Sequence, residues 1–367
     1  MRVLFTGGGT GGHLFPGLAI CDEWLRRHGN TLLLFVGTQR GIESRIVPER
    51  GIPFRTVWIS GLHRGRLWGN MLFPIKMTVS LIQSLFIILK FKPDVVIGTG
   101  GYVTWPVIKA AQLLRKMTVL QEQNEAPGLV IGQLAGKATQ VHLSFEASTR
   151  HFARKDNLFF SGNPTREGLS SGERQQGLTH FGLDPERRTL FIFGGSQGAL
   201  GLNHAVVEAL DPLMRDPSLQ ILWGTGPRWI EQVKQAAAPW RDRICALPFI
   251  DRMDLAYGAA DLLLCRSGAT TVAEITRLGL PAIYMPLPTA AAGHQEQNAR
   301  VIEKIGGGRV LLQGQADART LTGLIHGLIH DEAALKNMAV AAATLAKPNA
   351  ARDIVTAIEA AMQKNEA

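Results

Sequence analysis

The sequence predicts two doubly wound α/β domains, and three observations lead to this prediction. Short apolar runs such as VLFT, TLLLFV and DVVIG alternate with stretches of helical amphipathic spacing, as in parallel α/β proteins. The alternation restarts at RTLFIFGG, after a turn-forming run at 161–165. Each half also opens with a strand that leads into a glycine-rich loop, at 7–12 and at 194–198. A chain of 367 residues can bury two separate cores.

The positive charge of the chain is concentrated in its first half. We place the first domain at 1–163 and the second at 164–348, followed by a terminal helix at 349–367. Residues 1–163 hold 19 Lys and Arg against 9 Asp and Glu, whereas residues 164–367 hold 20 against 21. A basic domain suits nucleic acid, an anionic membrane or a phosphorylated substrate, although ordinary surface charge remains an alternative.

Composition predicts a cytoplasmic protein without a metal site. No basic stretch or cleavage-like site precedes the first strand, so we expect no signal peptide. Cys21, Cys245 and Cys265 are scattered and lack zinc-ligand spacing, which favours a reducing compartment. The sequence contains no DxD or HExxH motif. His326 and His330 are four residues apart but lack a third ligand, so we interpret them as surface residues and predict neither metal nor cofactor.

The segment 71–89 is the most apolar part of the chain. Pro74 and Lys76 interrupt it and leave 13 residues, fewer than the ~20 that span a bilayer. It is either a helix buried against the sheet or a helix with one face in the membrane interface. Insertion would place apolar side chains in the acyl boundary and cations at anionic head groups. The apolar candidates are Leu72, Phe73, Ile75 and Trp68, and the cationic ones are Arg64, Arg66, Lys76, Lys90 and Lys92.

The first glycine loop has GxGxxG spacing between a strand and a helix, which is a weak dinucleotide signal by itself. A nicotinamide cofactor would need an acidic residue at the end of the second strand, where Gly37, Thr38 and Gln39 stand. His13 follows Gly12 where a P-loop needs lysine. A dehydrogenase is therefore a distant alternative, and the loop favours an anionic or polyhydroxy ligand.

The second half carries the better diphosphate candidate. Ser196 adds a hydroxyl to the loop at 194–198, and Arg166 follows an Asn-Pro turn where it can stabilise a leaving diphosphate. After the strand that ends at Cys265, Gly268 should form a turn that opens a helix bearing Glu274. That carboxylate can accept both hydroxyls of a ribose, or it can serve as a favourable charge near the start of the helix.

Several motifs occur together in one order along nearly the whole chain. They are GGGTGGHLFPGLA at 7–19, PDVVIGTGGYV at 93–103, QEQN at 121–124, SGNPTR at 161–166, then GGSQGA, FIDRM, CRSGATTVAE and HQEQNA. As an ordered set they closely resemble the MurG family, which transfers N-acetylglucosamine from its UDP derivative to lipid I and so forms lipid II in peptidoglycan synthesis.

This resemblance implies a GT-B fold, with two Rossmann-like domains facing across a cleft and the terminal helix packed back on the first. It implies an inverting, metal-independent reaction in which the 4-hydroxyl of N-acetylmuramoyl attacks the anomeric carbon and expels UDP. The acceptor is lipid I, which is linked to undecaprenyl pyrophosphate. The resemblance also implies a peripheral location on the cytoplasmic face of the inner membrane, an anionic membrane surface and cell-wall synthesis proteins as partners, a role in cell division, and no nucleic acid.

The resemblance further implies the roles of individual residues. Donor contacts are expected at Thr10, Gly11, Gly12, Asn124, Arg166, Ser196, Ile250, Ala269, Thr270, Thr271, Val272, Ala273, Glu274, Gln295 and Asn298. Acceptor contacts are expected at Gly100, Gly101, Tyr102 and Asn124. For the membrane we expect Leu72, Phe73, Ile75 and Lys76.

His13 is the titratable group best placed to take the proton from the acceptor hydroxyl, and Glu122 is the rival base. An orienting hydrogen bond is the alternative role for His13. Other functions remain open at this stage. They are another GT-B enzyme, such as a diacylglycerol glycosyltransferase or a UDP-sugar 2-epimerase, and a non-catalytic scaffold that binds a UDP-sugar at a membrane.

Overall fold

The computed structural model describes residues 1–61, 71–165, 169–195 and 197–366. The chain divides into two compact units. Unit 1 comprises Met1–Glu167 together with Lys347–Ala367, and unit 2 comprises Gly168–Ala346. Each unit is built on its own parallel sheet.

Unit 1 contains a parallel sheet whose strand order is β3-β2-β1-β4-β5-β6-β7. Its strands are β1 (Arg2–Thr6), β2 (Leu32–Gly37), β3 (Phe54–Thr56), β4 (Val95–Gly98), β5 (Met117–Glu122), β6 (Gln140–Leu143) and β7 (Leu158–Phe160). Its helices are α1 (Gly11–Arg27), α2 (Glu43–Glu49), α3 (Phe73–Phe91), α4 (Thr104–Leu113), α5 (Leu129–Leu134) and, from the end of the chain, α14 (Ala350–Glu366).

Both faces of this sheet are covered, which explains why β2 and β4 are runs of consecutive apolar residues rather than alternating with polar ones. Along β1, Val3 and Phe5 pack into the core on one face, and Leu4 packs into the core on the other. The C-terminal helix α14 completes the first of these cores with Ile354 and Ile358, and it packs against α1. Residues more than 300 positions apart thus share one core.

Charged side chains also hold α14 to α1. Glu359 of α14 accepts from Arg27 at 2.8 Å and pairs with His28 at 2.7 Å. Arg26 and Arg27 also donate hydrogen bonds to Glu23 on α1. These hydrogen bonds lower the pKa of the Glu23 carboxyl, and the one from Arg26 has the larger effect.

Unit 2 contains a second parallel sheet, with strand order β10-β9-β8-β11-β12-β13. Its strands are β8 (Arg188–Phe193), β9 (Leu219–Gly224), β10 (Ile244–Leu247), β11 (Leu262–Cys265), β12 (Ala282–Tyr284) and β13 (Arg309–Val310). Its helices are α6 (Arg174–Phe181), α7 (Leu200–Leu213), α8 (Ile230–Ala237), α9 (Met253–Ala259), α10 (Ala269–Leu278), α11 (His294–Lys304), α12 (Ala318–Ile329) and α13 (Glu332–Ala343).

The strand order identifies where each unit can bind a ligand. In a doubly wound sheet, ligands bind beyond the carboxyl ends of the strands, at the point where the strand order reverses. In unit 1 this point lies between β1 and β4, and in unit 2 it lies between β8 and β11. The glycine loops at 7–12 and 194–198 follow β1 and β8, so both loops lie at these reversal points.

Candidate active site

The first glycine loop is held by a carboxylate that lies beneath it. Glu43, the first residue of α2, is fully buried. Its Oε2 accepts from the Gly9 amide at 3.0 Å, and its Oε1 accepts from the Thr38 amide at 3.0 Å and the Thr38 hydroxyl at 2.7 Å. Side chains at Gly8 or Gly41 would collide with this carboxylate. The loop is therefore tied to the end of β2, and the Gly9 amide is already used within the protein.

A second pair of glycines, after β4, allows the neighbouring loop to approach. Gly100 and Gly101 have φ values of 97° and 82°, in the left-handed region that favours glycine. A Cβ at Gly100 would lie 2.8 Å from Nδ1 of His13, and one at Gly101 would overlap the Gly8 carbonyl. These glycines are required so that the loops after β1 and β4 can touch, with the imidazole of His13 against the second loop.

His13 lies in the first turn of α1 and contacts the loops that follow β4 and β5. Its carbonyl oxygen accepts from the hydroxyl of Thr99 at 2.7 Å, and its Nδ1 lies 3.0 Å from Oε1 of Gln123. Thr99 follows β4 and Gln123 follows β5. The three neighbouring strands β1, β4 and β5 therefore place these residues together at one edge of the sheet.

Glu122, the rival base, supports the loop that follows β5. Its carboxylate is buried and accepts from the amide of Asn124 at 2.9 Å, from the Asn124 side chain at 3.2 Å and from the Gly128 amide at 2.9 Å. Burial raises the pKa of Glu122 to about 7, while these hydrogen bonds act in the opposite direction. Its contacts shape the loop 122–128, which carries Asn124.

The other unit 1 candidates surround the same loops. Thr10 and Gly12 are exposed and Gly11 begins α1. The ring of Tyr102 lies against Gly9, 3.0 Å from where a Cβ would stand. Thr10, Gly11, Gly12, Gly100, Gly101 and Tyr102 thus lie on the segments that directly follow β1 and β4, at the reversal point of the sheet.

In unit 2 the glycine loop packs closely on the turn after β9. Gly198 has a φ of 72°, and a Cβ there would overlap the carbonyl oxygen of Thr225. Asn203 in α7 secures the same turn by donating to Thr225 O at 2.8 Å. Two predicted phosphate contacts, Ser196 and Arg166, lie outside the residues that the structure describes.

The predicted ribose ligand Glu274 lies in α10, which begins at Ala269 directly after the Gly268 turn. Its carboxylate is buried, and its Oε2 accepts from the hydroxyl of Tyr257 at 2.8 Å. Tyr257 lies in α9 and its ring packs edge-on against Phe191. The hydrogen bond from Tyr257 therefore holds the carboxylate of Glu274 in place.

The remaining donor candidates lie around the starts of α10 and α11. Ala269 and Val272 are buried, and Thr270, Thr271 and Ala273 are partly exposed.

Gln295 and Asn298 of α11 are joined to the start of α10 through Ser267. The Ser267 hydroxyl donates to the Gln295 carbonyl at 2.7 Å, and the Asn298 side chain donates to the Ser267 carbonyl at 3.2 Å. The Gln295 side chain accepts from the Leu287 amide at 2.9 Å. The side chain of Ile250 packs at Gly224, at the end of β9.

Helix α3 buries its small polar residues and exposes large apolar ones. Ser80 and Ser84 are buried together with Ile88. The outward stripe contains Ile82, Phe86 and Leu89, which are 48%, 69% and 55% exposed. Within the described chain, this helix is long and apolar enough to cross a membrane, a criterion that core helices of other proteins also meet. A core helix is mostly buried, however, whereas only 17% of the most apolar 18-residue stretch of α3 is buried. Of the two alternatives for this segment, burial against the sheet therefore does not describe this outward face.

The predicted membrane residues begin the same helix. Leu72 and Ile75 are both 54% exposed, and Phe73 is partly exposed. Lys76 donates to the Ser60 hydroxyl at 3.0 Å and lies 5.8 Å from the ring centroid of Trp58. The cationic candidates Arg64 and Arg66, and also Trp68, fall outside the described part of the chain.

The two histidines with i, i+4 spacing bind separate partners. His326 Nε2 lies 3.2 Å from the Leu213 carbonyl, and His330 Nε2 lies 2.6 Å from a carboxylate oxygen of Asp216. Among the described residues, no group of three or more His, Cys, Asp or Glu side chains is placed to hold a metal ion.

Sequence reasoning missed Glu43, Gln123 and Tyr257. Glu43 carried one usable signal, because it follows Gly37 and Gly41 in a loop where glycines leave room for a neighbouring side chain. Gln123 and Tyr257 carried none, since their partners lie 110 and 17 residues away.

Two family models match the chain. The glycosyltransferase family 28 N-terminal domain matches residues 3–143, and the glycosyltransferase family 28 C-terminal domain matches residues 189–354. The two doubly wound units are thus those of a glycosyltransferase, with one family 28 domain in each half.

Individual relatives narrow this class. A protein of Flavobacterium psychrophilum, named UDP-N-acetylglucosamine--N-acetylmuramyl-(pentapeptide) pyrophosphoryl-undecaprenol N-acetylglucosamine transferase, is 38% identical over 97% of this chain and 96% of its own length. The crystal structure of Acinetobacter baumannii MurG is 29% identical, with a TM-score of 0.79 over 98% of this chain and 99% of that one. The chain belongs to the MurG family of these transferases. The predicted resemblance and the predicted GT-B fold are confirmed.

A more distant solved structure shares the fold alone. It is a putative UDP-N-acetylglucosamine 2-epimerase from Listeria monocytogenes, 12% identical, with a TM-score of 0.71 over 99% of this chain and 97% of that one. At this identity the likeness concerns architecture and gives no support to an epimerase reaction.

Proposed function

We propose that this protein transfers N-acetylglucosamine from UDP-N-acetylglucosamine to the undecaprenyl-pyrophosphoryl-linked N-acetylmuramoyl acceptor, lipid I, and so forms lipid II for peptidoglycan. The observation that carries the proposal is the 38% identity, over nearly the full length, to a transferase of that name. The grouping of glycine loops and polar side chains at both sheet-reversal points supports it.

Unit 2 is the proposed donor site. Glu274, held by Tyr257, accepts from the ribose hydroxyls, and the backbone at Ile250 contacts the uracil ring. Gln295, and Asn298 through its contact with Ser267, orient the sugar beside the start of α10. Ser196 and Arg166 bind the diphosphate.

Unit 1 is the proposed acceptor site, with its base supplied by the first turn of α1. His13 removes the proton from the acceptor 4-hydroxyl as that oxygen attacks the anomeric carbon from the face opposite UDP. The C1–O bond to UDP breaks, UDP keeps the electron pair, and the new bond is β-1,4. Gly100, Gly101, Tyr102 and Asn124 line the approach of the acceptor.

Glu122 is the weaker candidate for the base. Its carboxylate is buried and accepts from the amides of Asn124 and Gly128, contacts that hold the loop rather than face a substrate. A His13→Ala enzyme should lose about 100-fold or more in kcat. If it keeps near-normal turnover and an unchanged pH profile, His13 is not the base.

The reaction is tested by incubating the protein with UDP-N-acetylglucosamine, with and without a lipid I analogue. The disaccharide product and acceptor-dependent UDP release are expected. UDP release that ignores the acceptor, or formation of an epimerised UDP-sugar, would refute the proposal. A parallel assay with EDTA tests the metal-independent mechanism, which predicts an unchanged rate.

The exposed stripe of α3 is the proposed membrane contact. Ile82 and Phe86 expose large apolar side chains, and Lys90 and Lys92 lie exposed at the end of the same helix. Apolar burial with lysines near anionic head groups is typical of peripheral binding. It is consistent with a protein at the cytoplasmic face of the inner membrane, where its lipid acceptor and other cell-wall synthesis proteins would meet it.

Vesicle flotation tests this contact. Phe86→Ser should reduce binding to vesicles with anionic lipid by about ten- to a hundredfold, because roughly 1.5–3 kcal/mol of apolar burial is lost. Val340→Ser in unit 2 is the control, since Val340 is 62% exposed but lies on α13. Equal binding by both variants would show that α3 does not enter the membrane.

A further inference from the structure

Gln123 contacts the imidazole of His13 from the end of β5, and its side chain is only 1% exposed. The orientation of the Gln123 amide and the position of the imidazole proton determine what this contact does. The inference rests on the proposed role of His13 as the base.

The first step is the orientation of the Gln123 amide. Its Nε2 lies 2.7 Å from the Thr99 carbonyl oxygen and 3.1 Å from the Gln121 carbonyl oxygen, and it also contacts Oε1 of Gln121. Carbonyl oxygens only accept hydrogen bonds, so the nitrogen must face them. A flipped amide would set an oxygen against oxygens in a buried site. The Gln123 Oε1 therefore faces His13.

The second step is the position of the imidazole proton. An amide oxygen can only accept, and it lies 3.0 Å from Nδ1 of His13. Nδ1 must therefore carry the hydrogen, and in the neutral ring Nε2 carries the lone pair. The Thr99 hydroxyl fixes the backbone of the same residue.

The geometry points to Gln123 as the positioning residue that selects the Nδ1–H tautomer of His13. Nε2 is then the atom that receives the proton of the acceptor 4-hydroxyl. The Nδ1–H donor persists once the ring is protonated, and its hydrogen bond becomes charge-assisted and stronger. Gln123 therefore orients the base before proton transfer and stabilises the imidazolium after it.

The tautomer can be observed directly, without turnover. ¹⁵N NMR of histidine-labelled protein at pH 8.5, with the His13 signals assigned from a His13→Gln variant, should show a protonated Nδ1 and an unprotonated Nε2. A neutral ring with its proton on Nε2 would overturn the inference. This measurement does not depend on the reaction, so it stands even if the proposed function fails.

The catalytic consequence requires a matched pair of variants. Gln123→Met removes the acceptor and should lower kcat about tenfold while leaving the KM for UDP-N-acetylglucosamine within twofold. Gln140→Met is the control, because Gln140 is also buried and beside a histidine, His142, but on β6. The control should lose stability without losing kcat.

Gln123→Glu separates the positioning role from packing. It keeps an oxygen towards Nδ1, and as a neutral carboxyl it can donate from its second oxygen to the Thr99 carbonyl, so the Nδ1–H tautomer should remain and kcat should exceed that of Gln123→Met. If both Gln123 variants and the control lose kcat alike, Gln123 acts only through stability, and the inference is wrong. If His13→Ala retains full turnover while the Nδ1–H signal is present, the proposed base is wrong although the tautomer assignment holds.

Discussion

Replacing Glu43 with glutamine should loosen the first glycine loop. The carboxylate accepts three hydrogen bonds, from the Gly9 amide and from the amide and hydroxyl of Thr38. A glutamine keeps one acceptor oxygen and points an NH2 group at either Gly9 or Thr38. At least one buried amide then faces a donor instead of an acceptor.

The magnitude follows from that mismatch. A buried donor without an acceptor costs about 1–3 kcal/mol, and loss of charge-assisted bonds adds to this, while removal of a buried charge offsets part of it. We expect Glu43→Gln to cost about 2 kcal/mol of local stability. Because the loop leads into His13, a shift of about 1 Å there should also lower kcat by tenfold to roughly a hundredfold.

Hydrogen exchange and initial rates measure the two effects. Peptides covering 3–13 and 37–43 should exchange faster in the Glu43→Gln variant, whereas peptides of unit 2 should be unchanged. The control is Glu49→Gln, an exposed position of the same helix α2. Wild-type exchange and kcat in the Glu43→Gln variant would show that the carboxylate does not hold the loop.

Three further outcomes follow from other contacts. Tyr257→Phe should raise the KM for UDP-N-acetylglucosamine about fivefold at nearly constant kcat in initial-rate assays, because Glu274 loses the hydroxyl that holds it; an unchanged KM would remove Tyr257 from the donor site. Gly198→Ala should lower the affinity for UDP measured by calorimetry, because the added Cβ would overlap the Thr225 carbonyl oxygen. Gly182→Ala should bind normally, since Gly182 has a similar positive φ but an added Cβ there would meet no neighbouring atom within 4 Å; equal affinities would refute the packing argument. Burial raises the pKa of Glu122 from 4.5 to about 7, so the contribution of Glu122 to the free energy of unfolding should fall as pH rises between these values. The urea midpoint should therefore depend less on pH in Glu122→Gln than in the wild type, and identical pH profiles would contradict the shift.

The sequence predicted the fold because strands, helices and glycine loops are local patterns. Each apolar run between 3 and 284 that was interpreted as a strand needed only its own periodicity and the loop after it. The loops after β1 and β8 could be placed at the binding edge of their sheets for the same reason. Side-chain pairs are a different kind of information. The contact between His13 and Gln123 joins residues 110 positions apart, and neither spacing nor composition encodes it.

In helix α3 the positions of the small residues indicate which face is exposed. Ser80, Ser84 and Ile88 recur every four residues and mark the buried face of the helix, where the two small serines allow close approach to the neighbouring helix α4. Ile82, Phe86 and Leu89 then fall on the opposite, exposed face, whereas other large residues such as Leu81 and Leu85 still pack against the core. An apolar run with small residues at i and i+4 therefore predicts an outward apolar stripe, which the total hydrophobicity of the run cannot reveal.

The glycine loops after β1 and β8 occupy equivalent positions in the two units, but the buried charges near them have opposite signs. In unit 1 the buried carboxylate of Glu43 lies 3.0 Å from the Gly9 amide, which disfavours an anionic group at that end of the loop. In unit 2 the buried guanidinium of Arg266 donates to Gln313 at 2.7 Å, and Gln313 packs against Gly201 in the first turn of α7. Burial lowers the pKa of Arg266 to about 10, so the group still carries its charge at neutral pH. The positive charge of Arg266 near the start of α7 and the negative charge of Glu43 beneath the unit 1 loop together favour diphosphate binding in unit 2. The unit 1 loop is then better suited to orient a neutral hydroxyl and the base His13.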